Sequence, residues 1–163
     1  MNIHTIILAA GEGSRMNSNH AKSLQQIGGT SMLEKICNTA GKISQDITLV
    51  VGYDKESIIS EAQKFTHLNI TTSLQPNPIG TGDAVKCGLD KVLGSSKVLV
   101  LYGDVPLIKE DTLNNLINAS SNGAAILTTV LDNPFGYGRV NTNEDGYAQS
   151  IVEEKDATDS ERQ

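Results

Sequence analysis

The chain has 163 residues, enough to bury one sizeable core, and we expect residues 1–163 to form one domain. Its 19 acidic and 13 basic residues give a formal net charge of −6, which argues against nucleic-acid partners because those require a concentrated basic face. The apolar run near the amino terminus is too short for a signal peptide or a membrane span, so we expect a cytoplasmic protein without membrane partners. Any phosphate site in so acidic a chain must depend on backbone N–H groups, a few cations and a metal.

Short apolar runs alternate along the chain with segments of helical periodicity. Strands are predicted at residues 3–9, 47–51, 69–73 and 98–101, and helices at residues 32–40, 55–63, 81–92 and 110–119. This alternation is typical of βαβ units, so the fold class is predicted to be α/β with a mostly parallel sheet flanked by helices. Later strands, expected to include antiparallel pairs, are predicted at residues 124–131, 138–142 and 147–153, with a turn at residues 143–146.

The most informative loop follows the first predicted strand and reads Leu8-Ala9-Ala10-Gly11-Glu12-Gly13-Ser14-Arg15-Met16. Gly11 and Gly13 can turn backbone N–H groups toward an anion, and the Arg15 guanidinium can reach the same anion. The loop lacks the third glycine of a dinucleotide-binding motif and the Gly-Lys-Ser/Thr of a P-loop. It is therefore either a phosphate-binding loop of another kind or an ordinary strand-to-helix turn.

Lys22 lies seven residues beyond Arg15. If the loop folds back over the first strand, the two cations flank one triphosphate. The alternative for Lys22 is a solvated surface lysine, the usual situation of this residue type.

A second glycine-containing loop, residues 75–84, follows the strand predicted at 69–73. The amide of Gln75 can donate to and accept from the edge of a pyrimidine. Gly80 permits close approach of a ligand, and Thr81 either contacts that ligand or caps the following helix. Because both loops follow strands, we expect them at the sheet edge where open α/β sheets bind ligands.

A carboxylate follows the strand predicted at 98–101, in the run Tyr102-Gly103-Asp104. Gly103 leaves room for a ligand, and Asp104 is a hard oxygen ligand of the kind that Mg²⁺ takes together with phosphates. The alternative is a turn aspartate close to a proline. The convergence of glycine, cation and carboxylate at several strand ends favours a nucleotide site.

Other polar residues give weaker signals. Cys37 and Cys87 match neither a zinc knuckle nor a CxxC pair and are expected to be buried, reduced thiols. The histidines have no Ser or Cys partner pattern, which argues against a hydrolase triad or a zinc site. Gly138, within residues 136–139, is typical of a strand entry near a ligand, and either Glu153 or Glu154 is a candidate for hydrogen bonds to sugar hydroxyls. The alternatives are a turn glycine and a solvated glutamate.

These motifs together resemble the bacterial N-acetylglucosamine-1-phosphate uridyltransferase family, the amino-terminal domain of bifunctional GlmU proteins. The resemblance covers essentially the whole chain and rests on residues 8–16, 80–84, 101–107, 136–139 and 151–157. The first and third segments are shared among sugar nucleotidyltransferases, and the last two point to the uridyltransferase. The resemblance implies a Rossmann-like nucleotidyltransferase fold.

The resemblance also implies roles for individual residues. Arg15 and Lys22 are expected to act on the phosphates as catalytic residues, and Asp104 to hold Mg²⁺ as the cofactor. Gly138 and Glu153 would contact the sugar. The implied reaction joins UTP to N-acetylglucosamine 1-phosphate and releases pyrophosphate; the product, UDP-N-acetylglucosamine, serves peptidoglycan and lipopolysaccharide synthesis in that family. The residues expected around the substrates are Leu8, Ala9, Ala10, Gly11, Gly13, Gln75, Gly80, Thr81, Tyr102, Gly103 and Asp104.

The sequence departs from the family at several points. Ala21 stands where the family usually has proline, and Asp83 where it usually has histidine. The chain ends before the family's two downstream asparagines and its acetyltransferase β-helix, so we expect an incomplete fold at the carboxyl end and a monomer or weak homo-oligomer. The alternatives are a nucleotidyltransferase that uses another nucleotide with a sugar or alcohol phosphate, and a non-catalytic nucleotide-binding fragment.

Overall fold

The computed structural model describes residues 2–13, 20–92, 94, 97–120 and 123–162. In chain order the elements are β1 (Ile3–Leu8), β2 (Gln26–Ile27), β3 (Thr30–Ser31), α1 (Met32–Gly41), β4 (Asp46–Val51), α2 (Lys55–Ala62), β5 (Asn69–Leu74), α3 (Thr81–Leu89), β6 (Lys97–Tyr102), α4 (Glu110–Ala119), β7 (Arg139–Thr142) and β8 (Ala148–Val152). A short 3₁₀ helix, Lys22–Leu24, precedes β2. Internal packing divides the chain into two compact units, Met1–Asn115 and Leu116–Gln163, with the boundary inside α4.

The first unit is built on a parallel sheet with the strand order β5-β4-β1-β6. In the centre of this sheet Ile6 lies opposite Thr48 of β4 and Val100 of β6. The chain runs from β1 outward to β4 and β5 and then returns to β6 on the other side of β1. This reversal makes the carboxyl ends of β1 and β6 a topological switch point, where open α/β sheets bind ligands. The predicted parallel sheet is confirmed.

The central strands form because their apolar runs are buried on both faces. The side chains of Ile6, Ile7, Leu49 and Val50 are all 0% exposed. Helix α3 packs so closely on the sheet that a Cβ added at Gly88 would lie 2.7 Å from Cγ2 of Ile6. This helix ends at Leu89, earlier than the predicted end at residue 92.

Helix α1 begins with a side-chain cap. The Ser31 Oγ accepts a hydrogen bond from the backbone N–H of Glu34 at 3.0 Å, which satisfies a donor that the helix itself leaves unpaired. The same hydroxyl donates to Oε1 of Glu61 in α2 at 2.8 Å. Like α1, the other described helices are short, and none of them is long and apolar enough to cross a membrane.

The two cysteines differ in their surroundings. Cys37 is buried in α1, and this burial, with a smaller contribution from the charge of Glu61, raises the pKa of its thiol to about 12. Cys87 is only half-buried, and both thiols are free. The expectation of two buried, reduced thiols is therefore right for Cys37 and wrong in burial for Cys87, which packs against the core while only partly buried.

The second unit contains an antiparallel hairpin of β7 and β8. Asn143 closes the turn, because its backbone N–H donates to the carbonyl of Tyr147 at 2.9 Å and its Oδ1 accepts from the Tyr147 N–H at 2.8 Å. Gly146 has a φ of +81°, a conformation that glycine adopts without strain. The predicted antiparallel pair and its turn are confirmed.

Residues 124–131, predicted as a strand, do not form one. A strand is stabilised by ladder hydrogen bonds to a neighbour, and no backbone–backbone hydrogen bond between described residues reaches this segment. Its large apolar residues are exposed, from 38% at Leu131 to 98% at Val130. The prediction was wrong because β propensity does not supply a pairing partner.

Candidate active site

A cleft of about 340 Å³ opens at the carboxyl ends of β1 and β6 in the first unit. Its walls come from the loop after β1, the segment around the start of α3 and the turn after β6. The structure thus brings together most of the residues that the sequence singled out. Those lining the cleft are Leu8, Ala9, Ala10, Gly11, Gly13, Lys22, Gly80, Thr81, Tyr102, Gly103 and Asp104.

Lys22 and Asp104 form an ion pair in this cleft. Nζ of Lys22 donates a hydrogen bond to Oδ2 of Asp104 at 2.7 Å, with the side chains 41% and 36% exposed. The functional roles of Lys22 and Asp104 stay predictions, and the structure shows that the two side chains are in contact. Because ion pairs exposed to this degree contribute only about 0–1 kcal/mol, the pair opens at little cost when a charged ligand competes for either partner.

Asp54 holds the segment that carries Lys22. Its Oδ2 accepts a hydrogen bond from the backbone N–H of Ala21 at 3.1 Å and lies 3.4 Å from Nδ1 of His20. The hydrogen bond from Ser57, followed by those from Ala21 and His20, holds the pKa of Asp54 below its usual value. Asp54 also has a φ of +52°, a left-handed conformation uncommon outside glycine. Sequence analysis missed this residue because no local pattern connects it with Lys22.

Two glycines in the cleft are required by close packing. Gly13 has a φ of +67°, and a Cβ added there would lie 2.7 Å from Cβ of Lys22. A Cβ added at Gly103 would lie 3.0 Å from the carbonyl oxygen of Leu8. The Gly103 N–H donates to that same carbonyl at 2.9 Å, which ties the turn after β6 to the end of β1.

The loop before α3 is held by Gln75. This side chain is 6% exposed and does not line the cleft; its Nε2 donates to the Gly80 carbonyl at 3.1 Å and to Oδ2 of Asp83 at 2.9 Å. Contact between Gln75 and a pyrimidine stays a prediction. Helix α3 is capped by Gly80 rather than by Thr81, whose exposed side chain lines the cleft.

Three further residues line the cleft although they were not predicted as site residues: Ser23, Pro78 and Ala84. Ser23 is 4% exposed, and its Oγ has no hydrogen-bond partner within the described part of the chain. Its position directly after Lys22 was the one available signal. Pro78 and Ala84 belong to the loop of residues 75–84 that the sequence indicated, but their side chains have no polar group that would identify them as ligand contacts.

The remaining predicted site residues are Arg15, Gly138 and Glu153. Arg15 falls outside the described residues. Gly138 and Glu153 belong to the second unit, where a Cβ added at Gly138 would lie 3.8 Å from Oε2 of Glu153. The two residues expected to contact a sugar are therefore neighbours on the β7–β8 hairpin, beside an ion pair in which Nη1 of Arg139 lies 2.9 Å from Oε2 of Glu154.

Asp104 is the carboxylate in the cleft that a divalent cation could use. Across the described ranges, no three His, Cys, Asp or Glu side chains are grouped so as to hold a metal ion. Mg²⁺, however, commonly takes one or two protein carboxylates and completes its shell with water and substrate phosphates. One carboxylate in a cleft with room for phosphates fits that pattern of ligands.

Comparison with known proteins finds matches over nearly the whole chain. Residues 5–139 match the family model of the MobA-like NTP transferase domain. The bifunctional protein GlmU of Psychrobacter cryohalolentis is 40% identical over 163 residues, and that of Francisella philomiragia is 42% identical over 164 residues. These matches cover 99% and 100% of this chain, which in turn spans 36% of each relative's length. The expected resemblance to GlmU proteins is confirmed.

Solved structures share the fold. HddC from Yersinia pseudotuberculosis, complexed with GMP-PN, superposes with a TM-score of 0.72 at 24% identity, covering 94% of this chain and 69% of that one. UDP-glucose pyrophosphorylase from Acinetobacter baumanii gives a TM-score of 0.72 at 23% identity, covering 94% and 68% of the two chains. At these identities the likeness concerns the fold, and it confirms the predicted Rossmann-like nucleotidyltransferase class.

Proposed function

Because the chain belongs to the MobA-like NTP transferase family, we propose that its cleft joins a nucleoside triphosphate to a sugar 1-phosphate and releases pyrophosphate. The observation that carries this proposal is the contact between Lys22 Nζ and Asp104 Oδ2, 2.7 Å apart in a glycine-lined cleft. The Lys22 ammonium group, which can bind phosphates, and the Asp104 carboxylate, which can bind a metal ion, therefore line the same cleft. The similarity to GlmU proteins supports UTP and N-acetylglucosamine 1-phosphate as the substrates.

The reaction proceeds without a covalent enzyme intermediate. A phosphate oxygen of the sugar 1-phosphate forms a bond to the α-phosphorus of UTP. The bond from that phosphorus to the oxygen bridging to the β-phosphate breaks, and pyrophosphate leaves with the electron pair. Catalysis then consists of holding the reactants in line and neutralising their charge.

Different residues have separate roles in this proposed reaction. The Lys22 ammonium group binds phosphate oxygens, and backbone N–H groups of the loop containing Gly11 and Gly13 supply further donors. Arg15 is a second cation in this proposal. Asp104 would hold Mg²⁺, which when bound neutralises charge on the transferring and leaving phosphates.

The proposal is tested by measuring pyrophosphate release from UTP, N-acetylglucosamine 1-phosphate and Mg²⁺, with a control that omits the sugar phosphate. Sugar-dependent release supports the transferase. Calorimetric binding of UTP without any release supports instead a non-catalytic nucleotide-binding domain. Repeating the assay with dTTP, GTP and CTP distinguishes the uridyltransferase from relatives that use another nucleotide.

A further inference from the structure

Two hydroxyl groups of the first unit, those of Thr5 and Ser23, are buried without a hydrogen-bond partner among the described residues. Thr5 is 0% exposed in β1 and does not line the cleft, whereas Ser23 is 4% exposed and lines it. A buried hydroxyl normally has its bonding capacity satisfied. Of the two, Ser23 is therefore the residue placed to give its hydroxyl to a ligand.

The backbone at Ser23 is fixed by the short 3₁₀ helix Lys22–Leu24. The N–H of Gln25 donates to the carbonyl of Lys22 at 3.1 Å and closes this turn. The hydroxyl itself remains adjustable, because a serine side chain has one torsion with three staggered positions. It can turn toward a ligand in the cleft while the backbone stays in place.

Consecutive residues of this helix meet consecutive residues of the turn after β6. Nζ of Lys22 lies 2.7 Å from Oδ2 of Asp104. Cβ of Ser23 lies 3.4 Å from the position of a Cβ added at Gly103, the residue before Asp104. Ser23 is therefore next to the ion pair of the cleft in space as well as in sequence.

We propose that Ser23 is a phosphate-binding residue, whose hydroxyl donates a hydrogen bond to an anionic oxygen of the triphosphate. Hydrogen bonds to charged acceptors are the strong ones, and a phosphate oxygen bound by the Lys22 ammonium group can accept a further donor. The ligand then satisfies a group that folding leaves unsatisfied. The inference rests on the proposed function, since it assigns a further substrate contact in the same cleft.

This role predicts opposite effects of Ser23→Ala on stability and on binding. In the ligand-free protein the hydroxyl is buried without a partner, so its removal relieves a desolvation penalty and should raise Tm by about 2–4 °C. In the complex the same change removes a hydrogen bond to a charged acceptor and should weaken UTP binding about 10- to 100-fold. A serine with a purely structural role would instead lose stability and keep its affinity.

Ser31→Ala is the matched control, because Ser31 is a buried serine of the same unit that does not line the cleft. Its hydroxyl already has partners, the N–H of Glu34 at 3.0 Å and Oε1 of Glu61 at 2.8 Å. This variant should lower Tm by about 2–4 °C and leave UTP affinity unchanged. Ser23→Cys keeps the side-chain shape with a weak donor, so it should lose affinity as Ser23→Ala does.

Calorimetric titration of the full chain with UTP and with inorganic triphosphate, each with Mg²⁺, measures the affinities, and thermal unfolding without ligand measures Tm. We expect Ser23→Ala to weaken the binding of both ligands by a similar factor, since the contact is to phosphate. Unchanged affinity for both ligands overturns the inference, and so does a loss of affinity for UTP alone. A lower Tm of Ser23→Ala also overturns it, because the hydroxyl would then be paired in the ligand-free protein.

The outcomes separate this inference from the proposed function. Weaker binding of both ligands by Ser23→Ala, without sugar-dependent pyrophosphate release by the unmodified chain, supports the inference and contradicts the transferase. Sugar-dependent release together with unchanged affinities of Ser23→Ala has the opposite meaning. An unmodified chain that binds neither ligand overturns both.

Discussion

Nζ of Lys22 lies 2.7 Å from Oδ2 of Asp104, although the two residues are 82 positions apart in the chain. The cation proposed to meet the phosphates and the carboxylate proposed to hold the metal thus form an ion pair with each other. Their partial exposure keeps the pair weak, so a triphosphate and a divalent cation compete with it effectively. The first two predictions concern these residues.

Lys22→Met should lower kcat/KM for pyrophosphate release about 100-fold, since it removes a positive charge directed at the phosphates but keeps much of the side-chain volume. The assay with UTP and N-acetylglucosamine 1-phosphate measures this change. Lys86→Met, at an exposed position of α3, is the control and should retain full activity. Equal activity of the two variants would show that Lys22 does not act on the substrates.

Asp104→Asn should weaken the dependence of UTP binding on Mg²⁺ and abolish most of the turnover, because an amide oxygen is a poorer ligand for a hard cation than a carboxylate. Calorimetric titration of UTP at increasing Mg²⁺ concentration measures the first effect independently of turnover. Asp111→Asn removes a charge from an exposed position in the first turn of α4 and should change neither property. An Asp104→Asn variant with an unchanged Mg²⁺ dependence would exclude Asp104 as the metal ligand.

Gly103→Ala should lower the free energy of unfolding by about 1–3 kcal/mol, because overpacking forces the backbone apart. The new Cβ would lie 3.0 Å from the carbonyl oxygen of Leu8 and 3.4 Å from Cβ of Ser23. Gly82→Ala is the comparison, because a Cβ added there would have no atom within 4 Å. Since alanine favours helix more than glycine does, this variant should raise the free energy of unfolding by about 0.5–1 kcal/mol. Urea unfolding of both variants measures whether the free energy of unfolding falls in Gly103→Ala and rises in Gly82→Ala.

Asp54→Asn should destabilise the fold by about 1 kcal/mol at neutral pH, since the backbone N–H of Ala21, beside Lys22, loses its charged hydrogen-bond acceptor. Asparagine tolerates the left-handed backbone at φ +52°, so the change removes mainly the charge. Urea unfolding at neutral pH measures the difference in the free energy of unfolding. A variant as stable as the unmodified chain would contradict the role assigned to Asp54.

We also expect the stability difference between the unmodified chain and Asp54→Asn to depend on pH. A carboxyl whose pKa is lower in the folded than in the unfolded state stabilises the fold above the unfolded value, and this contribution is lost as the pH falls through the folded value. The difference between the unmodified chain and Asp54→Asn should therefore be constant near neutral pH and shrink below the ordinary pKa of 3.8. Glu61, whose pKa is lowered chiefly by Lys64, contributes equally to both proteins and cancels in the difference.

Much of the secondary structure could be predicted from the sequence because its causes are local. The apolar runs of β1 and β4 are typical of strands buried on both faces. The Ser31 cap lies within one helical turn of the Glu34 N–H that it binds. Glycines after the strands also predicted the position of the cleft, which is lined by Gly11, Gly13, Gly80 and Gly103.

The tertiary structure decided what depends on contacts between distant segments. Residues 124–131 have the composition of a strand but no hydrogen-bonded neighbour among the described residues, so propensity alone was insufficient. The role of Asp54 became visible only when folding brought it within 3.1 Å of the Ala21 N–H. The sequence by itself determined which residues carry charge, flexibility and apolar surface. The strand order determined which of them meet, because hydrogen bonds and ion pairs act over a few ångströms of space whatever the separation along the chain.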